Sequence, residues 1–192
     1  MSSREREPSA VVWQLKITLK GSTPPIWRRI LVPGDTSLAK LHRILQLVLG
    51  WWNCHLHQFT IHGRDFGAPD DDLPEFSNTL EDEKDVKLMD VLHGVKDRFV
   101  YQYDFGDDWL HQIVVEKVIP REKGKRYPAC IAGARACPPE DCGGIWGYRN
   151  FLKAINDRKH PEHKAMTEWF GAGFHPEAFD VEAINRQLRG IK

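Results

Sequence analysis

The 192-residue sequence lacks a long apolar segment, an excess of charge of either sign and the cysteine density of a small secreted protein. No apolar run approaches the roughly 20 residues needed to cross a bilayer. Residues 1–8 are charged and lack the apolar core of a signal peptide. We therefore expect a cytoplasmic protein without membrane association, whose four cysteines are reduced thiols rather than a disulfide framework.

The charge balance gives no support to nucleic-acid binding. The sequence has 27 Lys and Arg against 27 Asp and Glu, so its formal net charge is zero. A protein that neutralises many phosphates usually carries a basic excess. Residues 70–85 are acid-rich and residues 121–126 are basic, which is typical of solvated loops. An unidentified protein is the partner that we favour.

The sequence also lacks the common catalytic and nucleotide-binding motifs. It has no phosphate-binding glycine loop, no Gly-x-Ser-x-Gly elbow and no His-Glu-x-x-His zinc motif. A helix-turn-helix pattern is missing as well. No motif of these kinds assigns an activity, so whether the protein is an enzyme stays open.

Hydrophobic periodicity predicts the first half of the fold. Apolar and polar residues alternate over 11–19, which indicates a strand with one buried face, and residues 26–32 read as its hairpin partner. Residues 38–49 show helical spacing. We expect Asp35, Thr36 or Ser37 to cap this helix and Gly50 to end it.

Shorter patterns predict the remaining elements. Strands are expected at 55–62, 99–104 and 109–118, a helical turn at 87–92, and three helices after residue 147. Gly106-Asp107 suits a type II′ turn between the last two strands. The predicted class is α+β, with a β-grasp (ubiquitin-like) mixed sheet packed on one main helix, a loop-rich segment and a helical C-terminal cap. The predicted division is a disordered tail (1–10) and one domain (11–192), made of a sheet-rich core (11–119) and a loop with the helical cap (120–192).

The densest polar cluster surrounds the predicted turn at 104–108. Asp104, Asp107, Asp108 and His111 lie within eight residues of one another. Carboxylates with histidine suit divalent metals or acid–base chemistry. The alternative is a hairpin turn in which aspartate merely favours the loop conformation, and from this stretch alone we favour that alternative.

His55 and His57 form a second candidate pair. Alternate residues of a strand point the same way, so both imidazoles would project together and could supply two zinc ligands. Histidines at this spacing also occur half-buried, with one nitrogen bonded to a backbone carbonyl. The pair is therefore weak evidence for a metal by itself.

A third candidate is the proline- and glycine-rich loop that follows Cys130. Cys137 and Cys142 enclose Pro138-Pro139-Glu140-Asp141, and Gly143-Gly144 come next. The cysteine spacing is not that of a zinc ribbon, so we interpret the thiols as small apolar fillers, although a structural zinc with one histidine is an alternative. Such a loop could present Glu140, Asp141 and backbone N–H groups to a ligand.

These motifs, in their order, resemble one known family. Its pattern is carried by Trp27-Arg28-Arg29, Gly50-Trp51, His55-Leu56-His57-x-Phe59, Tyr103-Asp104-Phe105-Gly106-Asp107-x-Trp109-x-His111, Cys137-Pro138-Pro139-Glu140-Asp141-x-Gly143-Gly144 and Gly147-Tyr148. The chain resembles the Ri-plasmid third-open-reading-frame family, also described as TnpR-type passenger proteins of insertion elements. The resemblance runs from about Val11 to Leu188. It implies a compact α+β protein associated with plasmids and mobile elements, and it carries over no reaction.

Three functional hypotheses follow. We favour a non-enzymatic binding or adaptor module without a cofactor. The candidate ligand surface comprises His55, His57, Asp104, Asp107, His111, Glu140, Asp141, Gly143 and Gly144. The first alternative is a metal-assisted hydrolase in which His55, His57 and His111 hold a divalent ion such as zinc, with Asp104 or Asp107, and Glu140 is the general base. The second alternative is an accessory factor in DNA transposition.

Overall fold

The computed structural model describes residues 10–69, 79–170 and 173–191. The predicted N-terminal tail, Ala10 excepted, and residues 70–78 of the acidic run lie outside the described residues. Within the described ranges, no helix combines the length and the apolar character needed to cross a bilayer.

A mixed sheet with the strand order β5-β4-β3-β6-β7-β1-β2-β8 organises the described chain. Its strands are β1 (Val11–Leu19), β2 (Trp27–Pro33), β3 (His57–Ile61), β4 (Arg64–Gly67), β5 (Glu81–Asp82), β6 (Arg98–Tyr103), β7 (Trp109–Pro120) and β8 (Ala129–Ala134). The helices are α1 (Leu38–Leu49), α2 (Leu88–Val91), α3 (Gly144–Asn156), α4 (His163–Phe170) and α5 (Val181–Leu188). Neighbouring strands pair antiparallel, apart from the parallel pair β4 and β5.

The predicted α+β class is confirmed, whereas the β-grasp assignment is not. Strand β1 lies between β7 and β2 and runs antiparallel to both. The prediction missed β4, β5 and β8, which are two to six residues long and lie toward the sheet edges. Their few residues carry too little alternation to be recognised, and β8, from Ala129 to Ala134, contains small side chains of low strand propensity.

The interior of the fold follows directly from the alternation in β1 and β2. Leu15, Ile17 and Ile30 are completely buried, while Lys16 and Arg29 on the opposite face are only partly covered. Burying an apolar side chain of this size contributes about 1.5–3 kcal/mol. The buried face of the sheet therefore supplies the platform on which the helices pack.

Helix α1 begins and ends as its sequence predicts. The Ser37 hydroxyl accepts a hydrogen bond from the backbone N–H of Lys40 at 3.3 Å. At the other end Gly50 adopts φ 82°, a left-handed conformation that glycine takes without strain. Leu41 and Leu45 are completely buried on the inner face of the helix.

A buried arginine connects the end of α1 with β2 and β8. Arg28 is 3% exposed, and its guanidinium donates to the carbonyl oxygens of Val48 at 2.7 Å and Ala134 at 3.1 Å. The group also contacts Cys137 Sγ at 3.5 Å and stacks on the Phe179 ring. Since Val48 lies in the last turn of α1, the positive charge meets the negative end of the helix dipole.

The core also contains histidines that burial keeps neutral. His111 is fully buried, and neither ring nitrogen makes a hydrogen bond of normal geometry. Burial lowers its pKa to about 4, an effect that the nearby backbone groups of Tyr101 and Trp109 only partly offset. Burial, reinforced by neighbouring His57, likewise lowers the pKa of His42 to about 3.

We expect Arg28→Met to reduce the free energy of unfolding by about 3 kcal/mol, because buried carbonyl oxygens lose their donor. The neighbouring variant Arg29→Met is the matched control. Arg29 is partly exposed and pairs with Glu116 on the solvent side, and such pairs contribute about 1 kcal/mol or less. Urea unfolding followed by circular dichroism measures both. Equal losses in the two variants would contradict the role given to Arg28.

We also expect stability to fall with acidification in a way that depends on His111. The unfolded imidazole binds a proton near pH 6.5 and the folded one only near pH 4, so protonation favours unfolding between these values. Each such group adds a slope of about 1.4 kcal/mol per pH unit. His111→Phe should lose the contribution of His111 to the pH dependence of the free energy of unfolding, and the contribution of His42 should remain. Urea unfolding midpoints of the unaltered protein and of His111→Phe, measured from pH 7 to pH 5, give the dependence of stability on pH for each protein. Identical slopes would contradict this account.

Candidate functional site

Three loops meet at one end of the sheet and form the candidate site. They are residues 50–56 after α1, the turn 104–108 between β6 and β7, and residues 137–143 before α3. The indole of Trp51 donates to the carbonyl of Pro138 at 3.0 Å, and the backbone N–H of Gly143 donates to Asp107 Oδ2 at 3.1 Å. The turn at 104–108 and the glycine-rich loop, two of the sequence motifs, therefore lie side by side.

The turn itself differs from the predicted type II′ geometry. Asp104 and Asp108 adopt left-handed φ values of 57° and 55°, whereas Gly106 has no positive φ. Asp104 Oδ1 accepts from the backbone N–H of Gly106 at 2.9 Å and of Asp107 at 3.3 Å. Aspartate tolerates the left-handed region because its side chain can bond the local backbone in this way.

The Gly143-Gly144 pair permits the close approach of the loop to the turn. A Cβ atom at Gly144 would lie 2.5 Å from the carbonyl oxygen of Asp107, and its φ is 65°. A Cβ atom at Gly147, in the first turn of α3, would come even closer to the carbonyl of Cys142. Only glycine fits these contacts, which explains why the loop is rich in this residue.

Glu140 is held by three donors, two from residues 50–56 and one from the end of β6. Its Oε1 accepts from the Tyr103 hydroxyl at 2.7 Å and the Trp52 backbone N–H at 3.1 Å, and its Oε2 accepts from the Cys54 thiol at 3.1 Å. The hydrogen bond to Glu140 raises the pKa of Cys54, while burial and then Glu140 raise the pKa of Tyr103. Both groups stay protonated at neutral pH, so neither is an activated nucleophile.

His55, Asp104 and Asp141 bring three donor atoms together. His55 Nε2 lies 3.0 Å from Asp141 Oδ1 and 3.7 Å from Asp104 Oδ2. These atoms all lie within 4.8 Å of one another. The nitrogen is itself buried, yet its geometry gives no hydrogen bond to either carboxylate.

An open cleft of about 520 Å³ adjoins this cluster. Its walls are largely aromatic and prolyl, and its polar side carries two thiols and two carboxylates. The lining residues are Gly50, Trp51, Trp52, Cys54, Cys137, Pro138, Pro139, Glu140, Asp141, Trp169 and Phe170. Trp52 is 86% exposed at the rim, and Trp169 and Phe170 are also exposed.

Two of the predicted surface residues are not at the surface. His57 is buried, and its Nε2 lies 2.9 Å from a carboxylate oxygen of buried Glu83 while its ring stacks on His42 at 3.5 Å. His111 is completely buried. Neither side chain is exposed, because β3 and β7 direct both into the core.

The predicted metal ligands are not brought together as a set. Among the described residues, His55, His57 and His111 do not form a group with ligand atoms within 4.8 Å, and no cysteine joins such a group. All four cysteines are free thiols, and Cys130 and Cys137 are buried. A further His–Asp group, which the sequence did not indicate, joins His62 in the turn after β3 to His93 and Asp97 in the segment before β6.

Sequence reasoning also missed the residues that build the cleft. Trp51 is a buried core ring that also reaches the cleft through its bond to Pro138, and its neighbour Trp52 stands in solvent at the rim. Trp169 and Phe170 come from α4, more than a hundred residues further along the chain. The tryptophan pair after a helix stop is the one available signal, since two neighbours in an extended segment cannot both be buried on one side.

Comparisons with known proteins identify one family model and two similar proteins. The family model for plasmid pRiA4b ORF-3-like protein matches residues 11–183. The uncharacterized protein y4hQ of Sinorhizobium fredii is 38% identical over 171 residues, which is 88% of this chain and 86% of that protein. The crystal structure of the protein of unknown function MM3350 from Methanosarcina mazei is similar with a TM-score of 0.82 and 38% identity, covering 91% of this chain and 97% of that one. The chain therefore belongs to the plasmid pRiA4b ORF-3-like protein family.

Proposed function

We propose that the protein is a non-enzymatic binding module whose cleft takes a lysine or arginine side chain of a protein partner. The observation that carries this proposal is the composition of the cleft. Aromatic rings and the carboxylates of Glu140 and Asp141 face the same space, and among the described residues no basic side chain lines it. Aromatic faces and carboxylates are the two groups that attract an organic cation.

The rim of the cleft supports a protein rather than a small free ligand. Trp52, Trp169 and Phe170 expose large apolar surfaces around it. Exposed aromatic groups that cluster beside charged groups are typical of protein interaction sites, where tryptophan is enriched among residues that dominate affinity. The partner would place its apolar surface on this rim and its cationic side chain in the cleft.

The chemistry of the polar groups favours binding over nucleophilic catalysis. Cys54 and Tyr103 both have raised pKa values, and Glu140 already accepts three hydrogen bonds. A general base must lie within hydrogen-bond reach of the proton that it removes, and the three donors bonded to Glu140 occupy most of its acceptor positions. The hydrolase alternative therefore loses support for Glu140 as its base.

The remaining alternatives rest on sequence resemblance alone. A role in DNA transposition would need a basic contact surface, whereas the candidate site concentrates carboxylates. Cytoplasmic location, the β-grasp assignment of the sheet and the TnpR-type passenger label stay predictions.

We expect a labelled peptide with a central arginine between apolar residues to bind the protein, and its Gln- and Glu-centred counterparts to bind at least about tenfold more weakly. Glu140→Gln should weaken the arginine peptide about tenfold, since one charge-assisted contact is lost. The amide oxygen in this variant can still accept from Tyr103, so the loop should keep its place. Fluorescence polarisation in the presence of a chelator measures all three peptides.

Two further variants complete this test. Trp52→Ala should weaken the arginine peptide because its exposed ring forms the rim. Glu182→Gln removes an exposed carboxylate in the first turn of α5, outside the cleft, and should leave affinity unchanged. Equal binding of the Arg and Glu peptides, or equal effects of Glu140→Gln and Glu182→Gln, would refute the proposed function.

A further inference from the structure

We infer that His55, Asp104 and Asp141 bind one divalent metal ion. This inference goes beyond the binding of a partner side chain and does not depend on it. The donor atoms stand close to the separations that a shared ion requires. Two donors each about 2.1 Å from one ion, at angles of about 90–109°, lie about 3.0–3.4 Å apart. His55 Nε2 lies 3.0 Å from Asp141 Oδ1, within this range, and 3.7 Å from Asp104 Oδ2, slightly beyond it.

The position of the His55 ring nitrogen is the second observation that points to a ligand. The side chain is 28% exposed, but its Nε2 atom is itself covered, faces both carboxylates and lies at ion-pair distance from Asp141 without the geometry of a hydrogen bond to either one. Buried polar atoms are almost always satisfied, and an unsatisfied one costs about 1–3 kcal/mol. A cation placed between the nitrogen and the carboxylates would satisfy all three groups at once.

The backbone holds Asp104 in the orientation that a metal ligand needs. Its Oδ1 accepts from the N–H groups of Gly106 and Asp107, which leaves Oδ2 directed at His55. The Asp104 backbone N–H donates to the carbonyl of Leu56, so the turn is fixed to the segment that carries His55. Metal ligands are commonly oriented by such outer hydrogen bonds.

The local charge also favours a cation. Asp104, Asp107, Glu140 and Asp141 gather around this corner, and within the described ranges no Lys or Arg lies within ion-pair distance of any of them. Like charges this close repel each other unless a cation or protons intervene. A divalent ion would neutralise Asp104 and Asp141 and leave Glu140 as the anionic wall of the cleft.

The second His–Asp group, made of His62, His93 and Asp97, differs from the first in its hydrogen bonds. His62 Nε2 is hydrogen-bonded to Asp97 Oδ1 at 2.6 Å, and Asp97 also accepts from the backbone N–H groups of His93 and Arg98. These polar atoms are satisfied without an ion. This group therefore serves as the internal control.

The donor set defines the class of ion. One imidazole and two carboxylates suit Mn²⁺, Fe²⁺ or Zn²⁺, whereas the soft thiolate ligands that select Cu(I) are missing from the group. Three protein ligands leave coordination positions open toward solvent on the side of Asp141, which is exposed. Water or an oxygen atom of a bound partner would fill them.

The test titrates the chelator-stripped, full-length protein with Mn²⁺ alone and with Zn²⁺ alone. Free Mn²⁺ is followed by electron paramagnetic resonance and Zn²⁺ by calorimetry. We expect one equivalent to bind the unaltered protein and at least about a tenfold loss of affinity in Asp104→Asn and in Asp141→Asn. Asparagine tolerates the left-handed backbone of both positions, so the turn and loop should survive. Far-UV circular dichroism and thermal melting verify folding.

Two controls remove comparable groups outside the cluster. Asp108→Asn takes one carboxylate from the same turn, where it accepts from Gln102, and His62→Ala disrupts the second His–Asp group. Both should bind metal like the unaltered protein. No binding at about millimolar metal, or unchanged binding in folded Asp104→Asn and Asp141→Asn, would overturn the inference, as would loss in His62→Ala alone.

The two proposals fail separately. Peptide binding is measured with chelator present, and metal binding is measured without peptide. Arginine-peptide binding without metal binding would overturn only the metal site, and metal binding without peptide selectivity would overturn only the proposed function.

Discussion

The contact of the Arg28 guanidinium with backbone carbonyls is the interaction on which the candidate site depends. It joins the last turn of α1 to the end of β8, and its contact with Cys137 reaches the start of the loop that carries Glu140. Within the described residues no carboxylate forms an ion pair with this buried cation. Its positive charge is therefore stabilised by carbonyl oxygens and by the helix dipole. The segments on either side of the cleft are therefore positioned by one buried charge.

The loops around the cleft pack against one another through close contacts in which larger side chains would not fit. Gly144 allows the loop to touch the Asp107 carbonyl, and Gly143 donates to the Asp107 carboxylate. Tyr103 and Trp52 then fix Glu140. Preorganised carboxylates with protonated neighbours are suited to holding a cation, because no rearrangement is needed when the cation arrives.

How far the sequence predicts the site varies from residue to residue. One predicted surface includes His55, Asp104, Asp107, Glu140, Asp141, Gly143 and Gly144, and the structure places these residues around the same corner. His57 and His111 satisfy the same pattern but are buried. Alternation shows which residues share a face of a strand, but it does not show whether a polar residue on the inner face lies at the rim or beneath the helices.

The sequence by itself determined the elements with strong local signals and the family. Alternation in β1, a cap for α1 among residues 35–37 and its stop at Gly50 depend on neighbouring residues only, so they can be read directly. Only the tertiary structure decided the strand order, the burial of Arg28 and the approach of His55 to Asp141. These features join residues far apart in the chain, or depend on which side chains cover a strand, and local chemistry does not encode either.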